Sequence, residues 1–408
     1  MVVPDAARGL ALLGIAVANA PTAWFATPDI EPADTFGGAY TVTDKATVIF
    51  TALTAHMRGL PMFSTLLGFG VGLIALSLWR RGFTLPQARR VLVRRYAFLA
   101  LFGALHGLLL FHGDIMFLYG VGACVVALMI GMRNSSLRLM AYVMLGISMM
   151  FGLVGAIGGF VAPEDIGTEM SMAIDADSFP ALLAYNGKYF GMQILSLPFF
   201  LVQLGALFIL GFVWAREGML ADVASHRREL WVWTVIGAVV AVGCGLPLGL
   251  SAIGVLPPEW EIGLFMVNAA AGVFTGPAIL AFLSLALDGL QQRVWEGEPV
   301  PAWLVPAIAL GKRSMSGYLA QSFIFAALCF PFIFGLDVGP QLDAFGMLVV
   351  AFVVWLVTLL AAWALEVAGK PGPFEWAHRR LAYGPTGRAE LPAGSVKRGS
   401  STPTGQSR

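Results

Sequence analysis

The sequence predicts an all-α, polytopic membrane helix bundle of about ten transmembrane helices with both termini cytoplasmic. Three observations carry that prediction. Hydrophobic residues make up 58% of the 408-residue chain and charged residues only 12%, whereas ordinary soluble domains carry about twice that charged fraction. Mean hydropathy is +0.79, more apolar surface than a soluble core can hide. The apolar residues also fall in runs of the right length, since crossing a hydrocarbon core takes about 20 residues.

In chain order the spans read roughly 8–26, 58–79, 95–112, 115–132, 138–161, 190–214, 230–256, 262–287, 304–334 and 344–368. Lys312 and Arg313 interrupt the ninth. The first ends GLALLGIAVANA like a secretory leader. Asp5 beside Arg8, and Pro21 after the small-residue site, predict instead an uncleaved first helix. An even count puts both ends on one side, and Lys and Arg decide which. Arg80, Arg81, Arg89, Arg90, Arg94 and Arg95 fill one loop; Arg133 and Arg138 fill the next; Arg216, Arg227 and Arg228 follow, and then Arg293. The opposite loops hold Lys45 and Lys188, with Arg58 near a span end. The positive-inside rule makes the dense side cytoplasmic.

Two outer segments are acidic, 27–45 with Asp29, Glu31 and Asp34, and 162–189 with Glu164, Asp165, Glu169, Asp175 and Asp177. The organisation expected is an N-terminal bundle over 1–215, a C-terminal transmembrane domain over 216–383 and a tail over 384–408. The tail has Gly, Pro and Ser without apolar periodicity, so it is expected to be disordered, with Lys397 and Arg398 free to meet anionic lipid. Net charge is +1, which leaves no nucleic-acid footprint. Cys124, Cys244 and Cys329 lie far apart in apolar segments, so neither a metal site nor a disulfide framework is predicted.

Ionisable residues inside spans are expensive and ask for a role. The run Tyr96–Gly131 is too long for one helix, reaching about 54 Å, and His112-Gly113-Asp114 is where it must turn. Asp114 then suits the N-cap of the fourth span. His106 lies about 9 Å deeper than His112 and on another face. It is either a neutral histidine bonded between helices or a base lining a wet cavity, with Asp114 orienting it. Asp5 and Arg8 can meet across one turn, and Arg8 either anchors the helix or binds an anion. Asn19 stands near the outer end of the same helix. Gly68 and Gly72 form a GxxxG packing face, on which Ser64 and Thr65 can satisfy local bonds. GKRSMSGYLAQS brings Lys312, Arg313, Ser316, Tyr318, Gln321 and Ser322 onto one apolar span, a polar group that should face protein or water. In PGPFEWAHRR, Glu375 and Arg379 can pair and Trp376 suits an interface, so this segment is expected to cap the bundle.

DAARGLALLG, PMFSTLLGFGVG, LHGLLLFHGDIMFLYG and GKRSMSGYLAQS, closed by GPFEWAHRR, together resemble the YeiB-like family of bacterial multi-pass membrane proteins. The C-terminal half of that family is a domain of unknown function. Gly372, Pro373, Glu375, Trp376 and Arg379 carry the most specific part of the likeness. The opening Asp5-x-x-Arg8-Gly9 is also similar to that of transmembrane acyltransferases of the heparan glucosaminide N-acetyltransferase group. Those proteins pass an acyl group from a cytosolic thioester to an acceptor across the membrane, with a histidine implicated. That group's histidine precedes its second span, where His56 stands here; the YeiB-like pattern points to His106 and Asp114.

The resemblance implies an inner-membrane acyltransferase-like protein with no bound cofactor. In that reading His106 is base or acyl acceptor, Asp114 orients it, and Asp5, Arg8, Asn19, His112, Lys312, Arg313, Ser316, Tyr318, Gln321 and Ser322 line the substrate or donor site. Acyl-CoA is the expected donor and a small molecule or lipid the acceptor; the bilayer is the constant partner, and a homodimer is allowed. The alternative is a transporter or permease for a small metabolite or lipid, using the same intramembrane residues. A structural or signalling partner without substrate is the third reading.

Overall fold

The computed structural model describes residues 1–26, 36–163, 176–334, 336, 338 and 342–391. The acidic residues Asp29, Glu31, Asp34, Glu164, Asp165, Glu169 and Asp175, and the tail pair Lys397 and Arg398, lie outside the described residues. The described chain is all-α, without a strand. The protein is a polytopic helical membrane bundle. Among the described residues seven helices are long and apolar enough to cross a membrane, and an eighth is added if a pair bent by 55° at residues 273–274 counts as one span. Two further predicted spans, 115–132 and 304–334, are carried by shorter apolar helices, Met116–Met129 and Ser314–Cys329.

At the centre runs α1 (Val2–Asn19), extended by a π-turn over Ala20–Trp24. It packs against α3 (Gly59–Arg80), α13 (Thr275–Trp295), α14 (Val305–Lys312) and α17 (Ala344–Val367). The α1–α14 crossing is made backbone to backbone. A Cβ at Gly9 would collide with the Ala307 carbonyl, and one at Gly311 with the Asp5 carbonyl. Trp355 of α17 locks the same place by donating its indole N–H to the Gly9 carbonyl at 2.9 Å. The predicted GxxxG face behaves alike: Gly68 and Gly72 of α3 abut Phe208 and Ala215 of α9 (Gly205–Glu217), and Gly211 of α9 abuts the Thr65 carbonyl. In lipid, such close approach supplies the dispersion that drives helix association. Ser64 and Thr65 bond back to the carbonyls of Leu60 and Pro61 at 2.8 and 3.0 Å.

The long apolar run turns where predicted. Helix α4 (Leu85–Leu109) is followed by residues 110–115 and α5 (Met116–Met129), forming a tight hairpin. At the end of the bundle near this turn, Trp24 stacks on Phe111 with centroids 4.3 Å apart and on Phe325 at 5.5 Å, and meets Phe330 edge-on at 6.4 Å.

Several sequence expectations are corrected. Helix α4 begins ten residues before the predicted span, because Thr84 and Gln87 form a capping box and Pro86 fits the first turn. Arg89, Arg90, Arg94 and Arg95 therefore ride on a helix rather than fill a loop. Part of the outer segment 27–45 belongs to α2 (Val42–Thr54), started by the reciprocal Thr41–Asp44 cap. The end of the second outer segment is α7 (Phe179–Leu195), which follows α6 (Asn134–Val161) in the described chain and packs on α4. The predicted sixth span shifts to Leu197–Glu217. The first residues of the expected disordered tail are packed: Ala389 is 9% exposed, and Arg81 donates to its carbonyl.

Substituting Gly311→Val should therefore separate α1 from α14. Overpacking typically costs about 1–3 kcal/mol, and the obstacle here is backbone, so a lower melting temperature in detergent is expected. Gly146→Ala, where an added Cβ meets nothing within 4 Å, should leave melting unchanged; equal melting of both variants would contradict the crossing.

Candidate functional site

The α1–α14 crossing fixes which side chains share one end of the bundle. Arg8 and Asp5 on α1 meet at 2.9 Å, as their spacing predicts. Lys312 and Arg313 close α14 and both reach Glu366 of α17, at 2.7 and 2.6 Å. Arg313 is buried and also donates to the carbonyls of Ala309 at 3.2 Å and Lys370 at 3.1 Å. These groups surround a cavity of about 810 Å³.

Its lining includes six cations, Arg8, Arg95, Lys312, Arg313, Lys370 and Arg379, and three carboxylates, Asp5, Glu366 and Glu375. Asp5 and Glu366 are taken by the ion pairs just named. Glu375 belongs to α18 (Pro373–Tyr383) and caps α15 (Ser314–Cys329). Its Oε1 accepts from the Met315 and Ser316 amides at 2.8 and 3.0 Å, and Ser316 donates its hydroxyl to Oε2. Glu375 therefore does not make the predicted pair with Arg379: two orphan amides at a helix N-terminus attract a carboxylate more strongly than an exposed guanidinium does. Gly372 is required there, because a Cβ would strike the Glu375 carboxylate. Among the described residues Arg95, Lys370 and Arg379 have no ion pair, so this end of the cavity carries surplus positive charge.

Further along α1 and α3 the wall turns apolar, with Leu12, Ile15, Phe63 and Leu67, and it ends on Ile115, Met116, Tyr119 and Tyr318. Behind that end lies the dyad. His106 Nδ1 sits 2.7 Å from Asp114 Oδ2, and both side chains are almost wholly buried. Since a carboxylate only accepts, Nδ1 carries the proton and Nε2 presents a lone pair. Nε2 has no hydrogen-bond partner among the described residues. Asp114 Oδ1 meanwhile accepts from the Phe117 amide at 2.8 Å, so the aspartate fills both roles open in the sequence, helix cap and histidine orienter. His106 does not line the cavity; Tyr318 stands between them, its ring edge-on to the imidazole at 5.3 Å. Gly70 keeps the cavity wall open beside Arg8.

Not every predicted site residue joins this group. Asn19, His112, Ser316, Gln321 and Ser322 are absent from the cavity wall. Gln321 donates to Thr358 at 3.3 Å and Ser322 to the Tyr318 carbonyl at 3.3 Å, so both are satisfied within the helices. His112 packs on Tyr185 and Tyr189 of α7. His56 is buried against Phe36 at the break between α2 and α3. Trp376 is 49% exposed beneath the Arg380 guanidinium, 4.6 Å from its ring centre. Sequence reasoning missed Arg95, Glu366, Lys370 and His378, although a lone carboxylate ending an apolar span, Glu366, is a readable signal.

Together, fold and cavity define the class: a polytopic α-helical membrane protein holding a cationic pocket at one end and a buried His–Asp pair behind it. Residues 214–385 match the family model described as a protein of unknown function, DUF418. Over 409 residues the chain is 26% identical to the uncharacterized protein YeiB of Escherichia coli (strain K12), covering 94% of this chain and 97% of that one. It is 23% identical to the uncharacterized protein YxaH of Bacillus subtilis (strain 168) over 408 residues, 93% of each. These matches make the chain similar to the YeiB-like family. No solved structure matches it.

One group at the pocket titrates usefully. His378 Nε2 bonds the Arg95 carbonyl at 2.8 Å. Burial, then the Arg95 charge, holds its imidazole down at about 4. An undocked α18 would bind a proton near pH 6.5, so docking is fully stabilised above that value and weakens as pH falls toward 4. A spin label at position 381, in a cysteine-free background, should become more mobile between pH 7 and pH 5. His378→Gln, which keeps a donor for the carbonyl, should abolish that dependence; a label equally mobile at both pH values would remove the histidine from α18 docking.

Proposed function

We propose that this protein is an acyltransferase-like enzyme of the bacterial inner membrane, taking an acyl group from an anionic thioester such as acyl-CoA. The observation carrying this reading is the alignment of three parts: a surplus-positive pocket end, an apolar interior, and a buried His106–Asp114 pair one aromatic ring beyond it. The anionic head of the donor meets Arg8, Arg95, Lys370 and Arg379, and its acyl chain follows Leu12, Ile15, Phe63 and Leu67. The density of Lys and Arg at this end of the bundle, at the start of α4 and around the cavity, supports a cytoplasmic mouth.

In the reaction, His106 Nε2 takes the proton of an acceptor hydroxyl or amine as that atom attacks the thioester carbonyl. The new carbon–oxygen or carbon–nitrogen bond forms, the carbon–sulfur bond breaks, and the proton passes to the departing thiolate. Asp114 holds the tautomer that makes Nε2 the base and steadies the imidazolium. Tyr318 must swing aside for the carbonyl to reach the dyad, so a closed tyrosine keeps water from an idle base.

Purified protein in nanodiscs, supplied with a hydroxylated acceptor such as glycerol, should release free CoA from acetyl-CoA or palmitoyl-CoA as the acyl ester forms. His106→Ala and Asp114→Asn should each lower that rate on the order of 100-fold, the usual contribution of a positioned base, without loss of folded protein. Arg95→Ala should chiefly raise KM. Folded wild-type protein that leaves both thioesters intact, or that carries them across vesicles uncleaved, would remove the enzymatic reading.

A further inference from the structure

A second polar cluster, none of it in the cavity wall, lies where α7 crosses the α4–α5 turn. Tyr185, Asn186, Tyr189 and Gln193 recur at helical spacing, so they share one face of α7. Asn186, fully buried, donates its amide to the Leu108 carbonyl at 3.2 Å. Gln193 donates to the Asp114 carbonyl at 2.7 Å. His112 is 5% exposed, with Tyr185 and Tyr189 at centroid distances of 5.2 and 5.1 Å. The tyrosines lie 4.5 Å apart and wall the histidine with aromatic surface.

The cluster is incomplete in its hydrogen bonds. Asn186 Oδ1, Gln193 Oε1 and both ring nitrogens of His112 are buried with no hydrogen-bond partner among the described residues. Each amide nitrogen is already fixed on a carbonyl, which settles the amide orientations and leaves the oxygens as acceptors. A neutral imidazole adds one donor and one acceptor. The wholly unpartnered atoms are therefore three acceptors and one donor, each amide nitrogen keeps a second N–H beyond its one bond, and their complement is a group that both donates and accepts. Hydroxyls meet that description. An ammonium does not: both Asp114 oxygens are engaged, and Lys188 already stands over Tyr189, its Nζ 5.8 Å from the ring centre. Aromatic walls also suit the apolar face of a sugar ring.

We infer that the Asn186–Gln193 face of α7, with His112, binds a neutral hydroxyl-bearing molecule, a glycoside or polyol. Under the acyl-transfer reading, on which this role rests, that molecule is the acceptor. It approaches the dyad from the turn while the thioester approaches from the cationic end. The cluster is built onto Asp114 through Gln193, so an occupied acceptor site bears directly on the residue that orients His106.

The test reads binding without any thioester. The chain contains five histidines, so ring-labelled full-length protein in nanodiscs gives a simple spectrum in which His112→Phe identifies one signal. Methyl α-D-glucopyranoside and glycerol are the probes, with tetramethylammonium and acetate as controls. The His112 signal should move with the two hydroxylated probes and stay still with the controls. His112→Phe preserves the ring packing, and it should weaken the glucoside-induced rise in melting temperature with an affinity loss of about 30-fold, the two hydrogen bonds of the imidazole. A His112 signal indifferent to both hydroxylated probes, or responding only to tetramethylammonium, overturns the site whatever the thioester assay reports. A responding His112 in a protein that never cleaves thioesters supports the site and counts against the enzymatic reading alone.

Discussion

The backbone contact between α1 and α14 governs this molecule. Two helices whose carbonyls touch through Gly9 and Gly311 cannot slide, because any side chain at either glycine forces the axes apart. That contact puts the Asp5–Arg8 pair beside Lys312 and Arg313, residues some three hundred positions away in sequence. Trp355 adds α17 to the same point through the Gly9 carbonyl, which brings Glu366 within reach of both cations. The pocket's charge pattern thus follows from a crossing made by residues with no charge at all.

Around that crossing, the bilayer's intolerance of unpaired polar groups explains most of the remaining architecture. Glu375 is the clearest case. It completes α15 from a neighbouring helix, and Gly372 exists to let the carboxylate fold back. Arg58 is another: buried near the opposite end, it donates to Asn268 at 2.8 Å and to the Leu53 and Met57 carbonyls, both at 3.4 Å. It ties the α2–α3 break, where Met57 adopts φ 58°, to α12 (Glu261–Gly272). Against that background of settled valences, the groups left open around the dyad and the turn stand apart.

Much of the fold was legible because hydropathy and charge placement both report on one solvent, the bilayer. The hairpin turn, the GxxxG face and the Asp5–Arg8 pair follow from spacing alone. Helix starts were less legible. Capping by Thr84 and by Thr41 extends helices into stretches whose charge argued for loop, and α7 is amphipathic enough to read as an outer segment. For the site, the His106–Asp114 pairing was readable, since a turn must bring residues eight apart together. What escaped were contacts between distant segments: Glu375 with α15, Glu366 with Lys312 and Arg313, and Tyr318 standing between His106 and the pocket. No local periodicity encodes which distant helix a side chain will meet.

The aromatic stack of Trp24, Phe111 and Phe325 has an electrical consequence. A wet pocket open toward one compartment sits at that compartment's potential, so the transmembrane voltage falls over the dry remainder of the bundle, not over the full bilayer. Moving one charge through the whole drop costs about 2.3 kcal/mol per 100 mV, and water filling the pocket would leave that drop to the part of the bundle where the rings stack. A bundle so built would hold water at one end and still insulate, because the stacked rings close the way beyond it.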